Sequence, residues 1–126
     1  MREVLANVAP YPLPHVWLGT SVEDSAVLSR LDDLRATPAF VRFVSFEPLI
    51  GSVAGANLAA IDWAIIGGES GPRSRPMLED WIDEIYDLCD DSGTAFFFKQ
   101  WGGRNKKAAG RTYRAQVWDA LPALSM

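Results

Sequence analysis

Four short apolar runs divide this chain: HVWLG at His15–Gly19, VRFVSF at Val41–Phe46, WAIIG at Trp63–Gly67 and TAFFFK at Thr94–Lys99. Their length and their β-branched and aromatic content predict strands. What lies between them alternates. After the first run, Val27, Leu28, Leu31 and Leu34 fall at helical spacing and Pro38 ends the stripe. Ser21 followed by Asp24 reads as an acidic variant of the helix-start signature. Between the second and third runs, Gly51, Gly55 and Asn57 predict a loop. GGESGPRSRP, at Gly67–Pro76, predicts another. A second stripe follows at Trp81, Ile82, Ile85, Leu88 and Cys89, with Gly93 placed to cap it.

The order β-α-β-loop-β-α-β implies a parallel sheet with right-handed crossovers. The predicted fold class is therefore α/β: a four-stranded, mostly parallel sheet, half of a βα (TIM-like) barrel. Sequential strands should pair, and both helices should lie on one face. A small open sheet is the alternative architecture. The unbroken apolar run of Trp63–Gly67 predicts burial on both faces. The sheet edges, at Val16–Gly19 and Phe96–Lys99, invite pairing unless something covers them. The chain thus divides into an extended segment 1–14 holding Pro10, Pro12 and Pro14, a half-barrel 15–100, and a basic tail 101–126.

A length of 126 residues suits one domain, and 48% hydrophobic with 22% charged residues is ordinary globular usage. No apolar run reaches the roughly 18 residues of a membrane helix, and the first 14 residues lack the apolar stretch of a signal peptide. Cys89, the single cysteine, cannot form an internal disulfide, which points to a reducing cytoplasm. Net charge is −4, yet residues 101–118 carry Arg104, Lys106, Lys107, Arg111 and Arg114 and no acidic residue. Such a segment suits phosphate or nucleic acid. A solvated loop docked on its own acidic domain is the preferred reading.

Polar groups gather after each run: Ser21 and Glu23, then Glu47, then Gly67, Gly68, Glu69 and Ser70, then Lys99 and Gln100. In parallel α/β folds the ligand crevice lies beyond those strand ends. Three carboxylates and a lysine there can bind a cation, hold an amine or hydroxyl, or exchange protons. Capping groups belong at strand ends too, and for Glu23 the capping reading is preferred. Glu47 and Glu69 are followed by Pro and by Ser-Gly rather than by a helix, which favours function. The glycines of Gly67–Gly71 suit either a tight turn or an anion nest, but match neither a dinucleotide nor a P-loop fingerprint. Lys99, behind three phenylalanines, is a candidate base or phosphate ligand, or it snorkels to water. Trp101 can stack a base or simply fill the core. His15 is the only histidine, so neither a zinc cluster nor a Ser-His-Asp arrangement can be assembled.

Taken together, VWLGTSVED, RFVSFEPLIG, IDWAIIGGESGPRSRPM, FFFKQWGG and the terminal GR…WD.LP resemble the phage protein family of gene products 37 and 68. The resemblance runs from Val16 to Pro122. It implies a radical-SAM-like barrel whose N-terminal half carries three clustered cysteines, with [4Fe-4S] and S-adenosylmethionine bound there. It also implies a three-Cys-motif partner protein encoded nearby. This chain has no cysteine cluster, so either cofactor is expected only together with a missing N-terminal half. The Leu-Asp-Gly-Arg that the family carries before its terminal Trp-Asp is here Tyr113-Arg114-Ala115-Gln116. By resemblance, the matched positions Glu23, Glu47, Gly67, Gly68, Glu69, Lys99, Gln100 and Trp101 form the candidate site. With the strand-end reading, Glu47, Glu69 and Lys99 are the catalytic candidates. Ser21, Glu23, Gly67, Gly68, Ser70, Gln100, Trp101 and Arg104 are the binding candidates.

Three functions compete. The chain is the C-terminal portion of a radical-SAM-like barrel lacking its own cluster motif, a nucleic-acid-associated module using the basic tail and Trp101, or an inactive phage remnant. The expected partner is a second copy or a cysteine-bearing N-terminal half, with no membrane contact.

Overall fold

A strand sends successive side chains to opposite faces, and here that alternation makes one sealed face and one open face. The computed structural model describes residues 17–102 and 110–122. In it, β1 spans Trp17–Ser21, α1 Ser29–Arg35, β2 Val41–Phe46, β3 Trp63–Gly67, α2 Glu79–Ser92 and β4 Ala95–Gln100. The four strands form one sheet in the order β1-β2-β3-β4, every pair parallel. The α/β fold and the sequential parallel pairing are as expected. His15, Val16 and the segment 1–14 lie outside the described residues.

Val44, Phe46, Ala64, Ile66, Phe96 and Phe98 point to one face, buried with Leu31 and Leu34 of α1 and Ile82 and Ile85 of α2 in a single core. Both helices therefore share that face. α2 closes on Gly93, whose φ of +72° is left-handed and whose N–H donates to the Cys89 carbonyl. The C-terminus of α1 is bound to the sheet by Arg42, whose guanidinium donates to the Leu34 and Thr37 carbonyls at 3.1 and 2.9 Å. A cation is favourable at that negative helix end.

The opposite face departs from expectation. Trp63 and Ile65 are only half-buried, so the apolar run of β3 is sealed on one side alone. Trp17, Phe43 and Phe97 surround Trp63 there, with ring centroids 5.9–6.2 Å apart. β1 leaves room for this cluster, because a Cβ at Gly19 would overlap the Phe43 ring. The helix start is also displaced. Asp24, not Ser21, is the cap: it accepts the Ala26 N–H at 2.9 Å and opens a 3-10 turn at Ser25–Val27 ahead of α1.

The described part of 101–126 is not a free tail. β5 (Thr112–Tyr113) and β6 (Gln116–Val117) form an antiparallel hairpin whose Tyr113 is 1% exposed and belongs to the core. The Tyr113 hydroxyl donates to Asp83 of α2. Beyond the hairpin the chain runs along β4: the Phe98 N–H donates to the Trp118 carbonyl at 2.8 Å, and Phe97 forms an antiparallel bridge with Asp119. The β4 edge is thus partly covered by the chain itself. Among the described residues, β1 has no strand on its outer side. No described helix is long and apolar enough to cross a membrane.

Candidate functional site

Consecutive strand ends carry the candidate groups, and backbone hydrogen bonds lock those ends together. The Val22 N–H donates to Ser45, Leu49 to Gly67 and Gly68 to Gln100, at 2.9–3.0 Å. On this frame Glu47 leaves β2, immediately before Pro48, and Lys99 leaves β4. The pairing of β3 with β4 slips here, from Ile66 with Phe98 to Gly67 with Gln100, so Lys99 falls in the irregularity. Such a bulge re-aims a side chain. Lys99 Nζ lies 3.2 Å from both Glu47 oxygens, with side chains 49% and 25% exposed respectively. Gly67 fits between because it has no Cβ; one would come within 2.7 Å of the Glu47 carboxylate. A charge-assisted pair of this kind presents a fixed acceptor and a fixed donor side by side.

Glu69 does not join that pair. Its Oε1 accepts the Arg75 backbone N–H and Nε at 2.9 and 3.0 Å, and its Oε2 accepts Nη2 at 2.8 Å. The Arg75 guanidinium, then its N–H, hold the Glu69 carboxyl down at about 2. Glu69 therefore staples its own loop, and it does not cap α2, whose N-cap is Leu78. Because the folded value lies below the ordinary 4.5, this contribution to loop order is present above that ordinary value. It is lost as pH falls toward about 2. A carbon-detected NMR titration should give Glu69 a midpoint near 2. In Arg75→Ala the midpoint should move toward the normal carboxylate range; an unmoved midpoint would refute the stapling.

The remaining candidates divide. Gln100 Nε2 reaches the Ser70 hydroxyl at 3.4 Å, joining the β3 loop to β4. Glu23 pairs with Arg30 of α1 at 3.2 Å, and Arg30 also donates to the Ser21 carbonyl, so these serve the β1–α1 turn. The Gly68 N–H donates to the Gln100 carbonyl at 3.0 Å, and a Cβ there would overlap the Trp101 carbonyl, so the residue serves the close approach of two chain segments. Trp101 packs on Phe98 at 5.3 Å and donates its indole N–H to Thr112, engaged in the fold rather than offered as a stacking platform. Arg104, Lys106 and Lys107 lie outside the described residues. Arg111 sits over the Phe97 ring at 5.6 Å, and Arg114 over Tyr86 at 4.3 Å while paired with Asp83.

What residue reading missed is the open aromatic face. Its signal was the alternation itself: Trp63 and Ile65 lie two apart on β3, in register with Phe43 on β2 and Phe97 on β4. Among the described residues no group of three or more His, Cys, Asp or Glu is placed to hold a metal.

A family model described as Protein of unknown function (DUF5131) matches residues 1–122. No curated protein and no solved structure matches the chain.

Proposed function

The chain belongs to the DUF5131 family, and we propose that it is the C-terminal half of a phage-type, radical-SAM-like barrel whose cluster half is a separate polypeptide. One observation carries this reading. The sheet face turned away from the helices is aromatic and only half-buried, and the Glu47–Lys99 pair stands at its carboxyl end. In a completed βα barrel that face becomes the interior and that end becomes the mouth, where ligands bind. The missing strands would add at β1, since the chain's own Trp118–Asp119 segment occupies the β4 edge.

This chain's donor set does not fit an iron–sulfur cluster. Cys89, its one cysteine, is buried beneath α2, and burial pushes its thiol up to about 12. Cluster ligands are thiolates. Iron and S-adenosylmethionine are therefore assigned to the other half, and here Glu47 and Lys99 hold and orient the polar part of a substrate. A single neutral thiol suits a reducing cytoplasm. The nucleic-acid reading retains Arg111, exposed beside the aromatic face. Its signature would be affinity that falls steeply with salt.

Co-expression with a cysteine-bearing polypeptide encoded beside this one is the test. A one-to-one complex that binds iron and sulfide after anaerobic reconstitution is expected. In that complex, Glu47→Gln and Lys99→Met should leave assembly intact while lowering turnover at least about a hundredfold. A compact monomer that ignores the cysteine-bearing polypeptide overturns the proposal. So does a stable homodimer that excludes it.

A further inference from the structure

An acidic cluster without a basic residue in the same turn sits at the C-terminus of α2. That helix ends Asp87-Leu88-Cys89-Asp90-Asp91-Ser92, with no basic residue in its last turn. Helix carbonyl ends carry about half a negative charge and favour cations, so aspartates there oppose the preference. Among the described residues, Asp90 has no ion-pair partner to offset this. The fold does not require the arrangement for its core, because Asp90 is exposed.

A groove of about 350 Å³ opens at that point, at the end of the sheet opposite Glu47 and Lys99. Asp90 lines it, together with Tyr86, Phe96 and Trp118. The three rings meet pairwise at 78–89°, with centroids 5.2–5.6 Å apart. Nearly perpendicular rings present negative faces and positive edges in several directions, and aromatic walls of this kind attract a cation. One face of Tyr86 is already covered by the Arg114 guanidinium, 4.3 Å from its centroid. The other lining groups are small or neutral. They include Gly93, Ala95, Ala120 and the protonated Cys89 thiol.

We propose that this groove binds an alkylated ammonium ion, its charge facing Asp90 and the carbonyl end of α2 and its alkyl groups against Tyr86, Phe96 and Trp118. The chemistry selects that class. An anion would meet the aspartate and the helix end, each of the wrong sign. A bare divalent ion needs several oxygen ligands, and here one carboxylate lines the groove. A methylated ammonium ion is weakly hydrated and uses both halves of the site, the apolar walls and the negative end. This site is independent of the barrel reading and lies on the helix-covered side of the sheet.

Choline and its neutral isostere 3,3-dimethylbutan-1-ol separate charge from shape. Titration of the full chain with each, followed by Trp118 indole NMR shifts and by calorimetry, should show saturable choline binding. The neutral isostere should bind about tenfold more weakly, the ratio expected of a cation–aromatic and carboxylate contribution. Asp90→Asn should weaken choline about three- to tenfold, and Asp90→Lys should abolish binding. Both changes are on the surface, so the melting temperature without ligand should stay within a few degrees of wild type. Equal affinity for choline and the isostere overturns the proposal. So does wild-type affinity in Asp90→Lys, or the lack of saturation at about 10 mM choline.

Discussion

Phe98→Ala is expected to lower the stability of the fold by about 3–5 kcal/mol, the usual loss for deleting a buried phenyl ring. Phe98 is fully buried and its ring lies 5.3 Å from Trp101 and 5.6 Å from Tyr113, joining β4 to the hairpin. Few neighbours can collapse into the space it would leave, because those rings are held elsewhere. The Trp101 indole donates to Thr112 and the Tyr113 hydroxyl to Asp83. Phe98→Leu keeps most of the volume and should lose only about 1 kcal/mol. The adjacent residue provides the contrast. Phe97 points to the half-open face, and Phe97→Ala should lose less than half of what Phe98→Ala loses. Urea denaturation reads all three through the midpoint at constant slope. Equal losses at 97 and 98 would mean that the second face is sealed after all, and the account of an open barrel interior would fail.

That contrast also marks how far residue patterns carried. The four apolar runs located the strands, and their alternation with helical stripes gave parallel order and a shared helix face. Gly93 was legible as a cap because glycine is favoured where φ turns positive. The pattern misled where an unbroken apolar run was equated with two sealed faces. In WAIIG both faces are apolar, but helices cover only the side of Ala64 and Ile66. It also could not show that Gly68 is required by the backbone of Trp101, since that approach joins segments over thirty residues apart. The candidate site was half legible. Glu47 and Lys99 were placed by strand ends alone, and their pairing follows from adjacent β2, β3 and β4. Glu69 stood in an equivalent position, yet Arg75, six residues on in the same loop, takes both its oxygens. Irregular loops have no period from which such a pair can be read. The hairpin was hidden for a related reason: strands of two residues, turned through Arg114 and Ala115 at positive φ, carry no alternation.

Removing residues 110–126 is expected to abolish cooperative folding, although charge alone would class the start of that segment as a solvated tail. Tyr113 is 1% exposed within the core, and Trp118 packs on Tyr86 and Phe96 at 5.2 and 5.6 Å. Loss of two large aromatic side chains, each worth about 3–5 kcal/mol, is comparable with the 5–15 kcal/mol that stabilises a typical domain. The backbone adds to this. Phe98 loses the Trp118 carbonyl, Trp63 loses the Ala120 carbonyl that accepts its indole N–H at 2.8 Å, and the Trp101 indole loses Thr112. Donors left without partners near the core oppose folding further. The β4 edge would also be bared for pairing with another chain. Circular dichroism should therefore show a broad, non-cooperative melt, with strong binding of an apolar dye and association at micromolar concentration. Trp118→Ala in the full chain is the graded version, retaining the backbone carbonyl that Phe98 uses and losing only the ring. It should melt cooperatively at lower temperature. A truncated chain that melts sharply within a few degrees of the full chain would show the hairpin to be an appendage.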